Sequence, residues 1–511
     1  MPNHSCGRLP SLAFAHALAL AAGMLLAACA STDRSPPDID TLTASDVAAK
    51  LCARAFTSEA VTRAYLDRAK AKTAHNAFVT LDEAGAMAAA RVADRRRVSG
   101  QACLPLDGVP IVLKDNIQWA GLPTTAGTPA LKNFVPSADA PVAKALRDAG
   151  AVLIGKTNMH ELAFGISGYN PAYNAGPNVG VRNAYDVTKM AGGSSAGTGV
   201  AIGARMAPAG LGTDTGGSVR VPCALNGCAS LRPTVGRYSQ VGIVPISHTR
   251  DTAGPMAVSM RDIELIDRVV AGDSAAMPAD LRGVRLGLVA DFQANLDADT
   301  RAAFDAAVAK LRAAGVTIVD VAMPGLAATN GAVSFPVAFY EAYDDLVAYL
   351  AASGSGVDIV QLVAQIASPD VKGTYEAIVL PRKLPTSSGA FVETAPIYRD
   401  AIATKRPQLV ALYAKTFADN RLDALVFPTV PTVAAAAGPD SSSVATFNLF
   451  IQNTDPGSNA GVPGVQLPIG IGATSRLPIG LEIDGPAGSD RRLVSIGMVV
   501  ESVLGRVPPA R

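Results

Sequence analysis

The stretch Pro141-Val142-Ala143-Lys144-Ala145-Leu146-Arg147-Asp148-Ala149-Gly150-Ala151-Val152-Leu153-Ile154 decides the fold class. Pro141 to Asp148 reads as a helix, Gly150 ends it, and Ala151 to Ile154 is a short apolar run suited to a buried strand. The same unit recurs further on. Phe304, Val308 and Leu311 share one helix face, Gly315 stops the helix, and Val316 to Val321 reads as a strand. Helix, glycine and buried strand in succession is how α/β sheets are built. Upstream, Thr43-Ala44-Ser45-Asp46 and Ser58-Glu59 each open an amphipathic helix. No Pro/Ser-rich linker and no short-period repeat interrupts the body, so residues 41–511 read as one large α/β domain.

Composition agrees with a globular body. The 511 residues are 49% hydrophobic and 17% charged, which excludes a disordered chain. A net charge of +1 offers no electrostatic case for nucleic acid as a partner. The 47 glycines concentrate in the middle of the chain, where tight turns near a site need them.

The first 28 residues read as an export signal. Arg8 supplies a weak positive region, and Leu12 to Ala28 is nearly unbroken apolar sequence, short for a spanning helix. It ends in Leu26-Ala27-Ala28-Cys29, the small-residue pattern placed before a lipidated cysteine in bacterial lipoproteins. A plain signal peptide and a membrane anchor are the alternatives. On the lipoprotein reading Cys29 carries the lipid and residues 29–40, with Pro36 and Pro37, form a tether. Ala30 after the cysteine resembles outer-membrane rather than inner-membrane lipoproteins. The expectation is therefore an exported, periplasmic or outer-membrane-anchored protein that meets the membrane through its N-terminal lipid.

Four cysteines remain beyond the signal region: Cys52, Cys103, Cys223 and Cys228. Export permits disulfides, and Cys223 and Cys228 are near enough to pair, but buried thiols are an equal alternative. No zinc signature is present, and only His75, His160 and His248 lie beyond the signal, so no metal site is expected.

Two spellings mislead. Gly150 to Thr157 fits the G-x-x-x-x-G-K-T phosphate loop, but its four intervening residues are apolar and a helix precedes it, where the loop needs a strand. Gly193-Ser194-Ser195-Ala196-Gly197 fits the G-x-S-x-G nucleophile elbow with Ser195 as nucleophile. That reading needs a downstream acid and then a histidine, and His248 lies too soon after it.

Three other segments form one apparatus. Val109-Pro110-Ile111-Val112-Leu113-Lys114-Asp115-Asn116 puts a lysine at the end of an apolar strand, where desolvation lowers its pKa enough for it to act as a base. Gly192-Gly193-Ser194-Ser195-Ala196-Gly197 lets backbone and hydroxyls approach closely. In Gly212-Thr213-Asp214-Thr215-Gly216-Gly217-Ser218-Val219-Arg220 a serine follows two glycines, a turn in which successive N–H groups can converge on an oxyanion.

These segments resemble the amidase-signature family, whose pattern GGSS followed by GTDxGGSxRxP recurs here with its two serines 24 positions apart. Lys156-Thr157-Asn158-Met159, Leu231-Arg232-Pro233-Thr234 and Phe427-Pro428-Thr429 agree as well, and the resemblance covers essentially everything after the tether. It implies a single domain with a mixed central β-sheet covered by helices, and a serine hydrolase without cofactor. Ser218 would be the nucleophile, Ser194 the bridging serine after a cis peptide bond, and Lys114 the base. The amides of Thr215, Gly216, Gly217 and Ser218 would form the oxyanion hole. Ser195, Asp214 and Arg220 match supporting positions, either in direct roles or as loop scaffolding. Ala196, Thr198, Asn226 and Cys228 depart from the commonest family pattern without touching the triad.

For the substrate, residues 236–240, 251–255 and 481–492 resemble the arylacetamide-type amidases, the indoleacetamide and mandelamide hydrolases, which implies a small aryl or alkyl amide. Esters, carbamates and anilides remain open, because one acyl-transfer apparatus serves them all. A transamidase subunit is disfavoured by export and by the near-neutral charge. A non-catalytic binding lipoprotein would not need all three triad residues.

Overall fold

The computed structural model describes residues 37–174, 176–386 and 388–510. The expected signal segment, Cys29 and most of the tether lie outside the described residues.

In chain order the strands are β1 (Phe78–Leu81), β2 (Pro110–Lys114), β3 (Val152–Thr157), β4 (Ala209–Asp214), β5 (Ala229–Arg232), β6 (Thr252–Ala257), β7 (Arg285–Val289), β8 (Thr317–Val321), β9 (Lys383–Pro385), β10 (Phe391–Glu393), β11 (Ala424–Pro428), β12 (Gly464–Ile471) and β13 (Pro478–Asp484). Eleven of them form one sheet in the order β1-β3-β2-β4-β6-β5-β12-β13-β11-β7-β8, and β9 and β10 pair separately. The sheet is mixed. β3-β2-β4 and β11-β7-β8 are parallel, and the ladder from β4 through β6, β5, β12 and β13 to β11 is antiparallel.

Both units read from sequence lie in these parallel regions. The helix Pro141–Asp148 starts on proline, whose missing N–H costs nothing at the first helical position. Its chain then turns at Gly150, whose φ of +89° an L side chain tolerates poorly, and enters β3. All but the first two residues of the phosphate-loop spelling therefore fall inside a fully buried strand. The helix Ala298–Ala313 leads through Gly315 into β8 in the same way. The first helix, Ala44–Cys52, begins with a reciprocal capping box between Thr43 and Asp46.

Strands β2 to β6 are buried along their whole length, because helices cover both faces. The helix Ala196–Gly203 is also wholly buried. Ala196, one of the departures, packs against Gly168, where a side chain would collide with its methyl group at 2.6 Å. Thr198 shares a hydrogen bond of 2.7 Å with Thr157. Asn226 donates to the carbonyls of Ala191 and Pro222 and accepts from Ala184. Cys228 is bonded to Cys223, which settles the open alternative in favour of a bridge, and a second disulfide joins Cys52 to Cys103. No helix among the described residues is long and apolar enough to cross a membrane.

Candidate active site

The site forms where β2 and β4 end side by side. The two strands are parallel neighbours, with Leu113 opposite Leu211, so Lys114 comes level with the last residues of β4, next to Thr213. Its ammonium is wholly buried and donates to Ser194 Oγ at 2.8 Å and to Thr213 Oγ1 at 2.7 Å. Burial strips its hydration and pulls its pKa down to about 7, although the Asp214 and Asp251 charges act in the opposite direction. Asn116 donates to the same Thr213 hydroxyl at 3.1 Å.

Ser194 follows a cis peptide bond from Gly193. Its carbonyl accepts from the His160 N–H at 3.1 Å, which fixes its backbone against the loop after β3. Ser195 begins the buried helix, and its N–H donates to the Ser218 carbonyl at 3.2 Å, joining the two serine-bearing turns. The Ser195 hydroxyl both donates to and accepts from the Thr213 backbone. A methyl group at Gly212 would stand 2.6 Å from that oxygen, so this approach needs the glycine. Ser195 is completely buried and its hydroxyl is tied to a strand.

Asp214 organises the turn that carries Ser218. Its carboxylate accepts from the N–H groups of Gly217 and Val219 and from Arg220 and Arg232. Burial opposes the charge, but the two guanidiniums outweigh it and hold the carboxyl well below the usual range. Arg220 also binds Glu482, the Thr454 carbonyl and Ser458, all out of solvent. Both residues lie behind the turn and neither lines the cavity. One expectation is corrected here. The Gly217 N–H is already given to Asp214 at 2.8 Å, so it is not a free oxyanion donor. Among the described residues the N–H groups of Thr215, Gly216 and Ser218 have no hydrogen-bond partner.

Ser218, Thr215 and Gly216 open onto a cavity of about 370 Å³. Its walls are largely apolar: Phe164, Ile166, Ile246, Phe335, Phe339 and Phe447 line it. Phe335 and Phe339 stack at 5.2 Å, one turn apart on the helix Leu326–Ser353. Arg250 reaches in from the loop before β6 and clamps three elements. It donates to the Thr215 carbonyl at 3.2 Å, the Ser334 carbonyl at 2.9 Å and Asp455 at 2.5 Å. Beside it, Thr215 donates to Asp251, whose burial raises its pKa.

Among the described residues no histidine ring is hydrogen-bonded to the hydroxyl of Ser194, Ser195 or Ser218. His75 contacts the Asn183 carbonyl, and His160 pairs with Asp370. Exposed His248 meets Asp345 and Glu341, the one group of metal-ligand type among the described residues. Glu341 there already accepts from Ser247, Thr249 and Tyr398, so this group is a hydrogen-bonded clamp on the loop that carries Arg250.

With this geometry in place, comparison with known proteins decides the family. The sequence profile of the family described as Amidase matches residues 60–494. This chain belongs to the amidase family. The amidase is 45% identical over 476 residues to mandelamide hydrolase of Pseudomonas putida, covering 93% of each chain. It is 40% identical over 445 residues to indoleacetamide hydrolase of Agrobacterium vitis, covering 86% of this chain and 91% of the relative. Among solved structures it resembles the peptide amidase of Stenotrophomonas maltophilia, with a TM-score of 0.75, 29% identity and coverage of 92% and 99%. It is an enzyme that hydrolyses amides.

Three groups in the site escaped the sequence reading. Thr213 lay inside the quoted motif, but nothing there marks its hydroxyl as the second partner of the lysine. Arg250 and Asp455 are 205 positions apart, and their pairing has no local signal. The phenylalanine wall comes from three distant segments. Two stretches quoted for the arylacetamide resemblance do other work. Arg237, Tyr238 and Arg491 converge on Asp267 in a network that does not line the cavity.

Proposed function

We propose that this amidase cleaves small aryl or alkyl amides through an acyl-enzyme, with Ser218 as nucleophile, Ser194 as proton bridge and Lys114 as base. Neutral Lys114 takes a proton from Ser194, which takes one from Ser218 as that oxygen attacks the carbonyl. The N–H groups of Thr215, Gly216 and Ser218 hold the oxyanion. The proton returns from Lys114 through Ser194 to the leaving nitrogen, the C–N bond breaks, and the amine departs. Water then attacks the ester with the same relay, releasing the acid and restoring Ser218.

The observation that carries this reading is the 2.8 Å contact of Lys114 with Ser194 in a setting dry enough to bring the lysine to a pKa of about 7. The apolar cavity and the named activities of the relatives support an aryl acyl group. Esters, carbamates and anilides are the second reading on the same apparatus. A fluorophosphonate should label wild-type protein and the Ser195→Ala variant but not Ser218→Ala. An adduct on Ser195 overturns the assignment, and a panel of amides, esters and carbamates ranks the substrates.

We further propose that residues 1–28 are an export signal and that Cys29 carries a lipid, with residues 29–40 as tether. The Leu26-Ala27-Ala28-Cys29 pattern supports this, as do two disulfides, which persist in oxidising compartments. Cys29→Ser should abolish acylation in a Gram-negative host. Wild-type protein recovered unlipidated with another N-terminus overturns it.

A further inference from the structure

The cavity beside Ser218 holds two kinds of charge, and they are treated differently. Arg250 and Asp455 neutralise each other, and the second Asp455 oxygen accepts from Asn330 and Asn459. Asp370 is paired only with a histidine among the described residues. It lines the same cavity, with its side chain 24% exposed, from the second position of the helix Pro369–Thr374. Its one hydrogen-bonded side-chain partner is buried His160, whose Nε2 stands 2.9 Å from Oδ2. The other carboxylate oxygen, Oδ1, has no hydrogen bond and is itself closed off from solvent, so Asp370 acts on the cavity through its charge. Among the described residues no lysine or arginine comes within ion-pair distance of Asp370. His160 faces the Ser167 hydroxyl at 3.5 Å through its other nitrogen, and Ser167 bonds the cavity-lining Ser442 at 2.8 Å.

The consequence is electrostatic. Burial works against the Asp370 charge, but His160 outweighs it and the N–H of Val371 adds to the effect, so the carboxyl sits below its usual range and is ionised at neutral pH. An anion on the wall of an apolar cavity is under-solvated, and charge acts over a longer range there than in water. A hydrogen-bond donor or cation on a bound molecule gains from it, and a second anion is repelled.

We propose that Asp370 is a specificity-determining residue, selecting acyl groups that carry a hydrogen-bond donor or positive charge beyond the aromatic ring and rejecting those that carry an anion. The inference rests on the amide-hydrolase reading of this cavity and adds to it the polarity of the substrate's far end. It assigns Asp370 no part in proton transfer to the scissile bond.

The test is a charge series of para-substituted phenylacetamides carrying aminomethyl, hydrogen, hydroxyl or carboxylate. Ammonia release gives kcat/KM for each with wild type, Asp370→Asn and Asp370→Ala, so that one folded variant suffices. Wild type should prefer the cationic and hydroxyl members over the carboxylate. In the variants the cation-to-anion ratio should fall by about tenfold or more, because one full charge has left a poorly solvated wall. A purely structural role would lower all rates together and leave that ratio unchanged. A ratio within about twofold of wild type in the folded variants overturns the proposal. Failure of wild type to turn over any member overturns the substrate reading above instead.

Discussion

If Lys114 is the base, the activity must follow its ionisation. A free lysine side chain with a pKa of ~10.4 is neutral in roughly one molecule in 2,500 at pH 7. With burial bringing Lys114 to about 7, about half the molecules carry the neutral amine at that pH. Desolvation thus raises the supply of base by about three orders of magnitude. The rate constant kcat/KM for phenylacetamide, followed by ammonia release from pH 5 to 9.5, should rise along a single ionisation centred near pH 7 and then level off. Lys114→Ala should remove that ionisation together with most of the rate. Lys114→Arg should fail too, because a guanidinium stays protonated.

The same shift has a thermodynamic signature. The folded pKa lies below the unfolded one, so the unfolded chain binds more protons between about pH 7 and ~10.4. The resulting destabilisation is fully present below the folded value and disappears above the unfolded one. Its ceiling is on the order of 4 kcal/mol. Lys114→Met removes the buried amine but leaves the hydroxyls of Ser194 and Thr213 without this donor, two opposing effects on absolute stability. Its stability relative to wild type should nevertheless fall as pH rises from 7 to 10, as measured by denaturant unfolding. The reasoning is refuted by a rate profile that survives Lys114→Ala but disappears when His75, His160 or His248 is replaced.

Gly217→Ala should destabilise the protein by about 2 kcal/mol or more and abolish activity, since φ is +134° and the new methyl group would lie 2.3 Å from the Thr454 hydroxyl. Thermal unfolding and ammonia release read both effects. Replacing Cys103 by serine should lower unfolding stability by about 4 kcal/mol, the loop-closure value for a bridge spanning 51 positions. Wild type unfolded under reducing conditions should lose more, because the Cys223–Cys228 bridge opens as well. Arg250→Lys should lower kcat more than it raises KM, because one ammonium cannot hold the carbonyls of Thr215 and Ser334 together with Asp455. Steady-state kinetics on phenylacetamide decides this.

Local chemistry left a readable trace wherever the constraint was local. Gly150 and Gly315 mark turns that need positive φ, and the helices and strands beside them lie where their apolar spacing puts them. Lys114 at the end of an apolar strand announces a buried lysine, because a strand covered on both faces keeps water from its last residue. Asp214 was legible as part of the turn but not as its organiser. Its grip on the Gly217 N–H, which removes that donor from the oxyanion set, depends on which way one peptide plane faces.

By itself, then, the sequence determined the α/β class and the two helix–glycine–strand units, which depend on short-range spacing and residue type, and through its family resemblance it pointed to Lys114, Ser194 and Ser218. The tertiary structure alone decided the antiparallel centre of the sheet, where only β12 and β13 are joined by a short connection and the other pairs bring distant segments together. It alone joined Cys52 to Cys103, brought Thr213 to the lysine and assembled the cavity from Phe164, Phe335 and Phe447. Such contacts depend on how distant elements pack, and an aromatic or acidic residue looks the same in a chain whether it will line a cavity or fill a core.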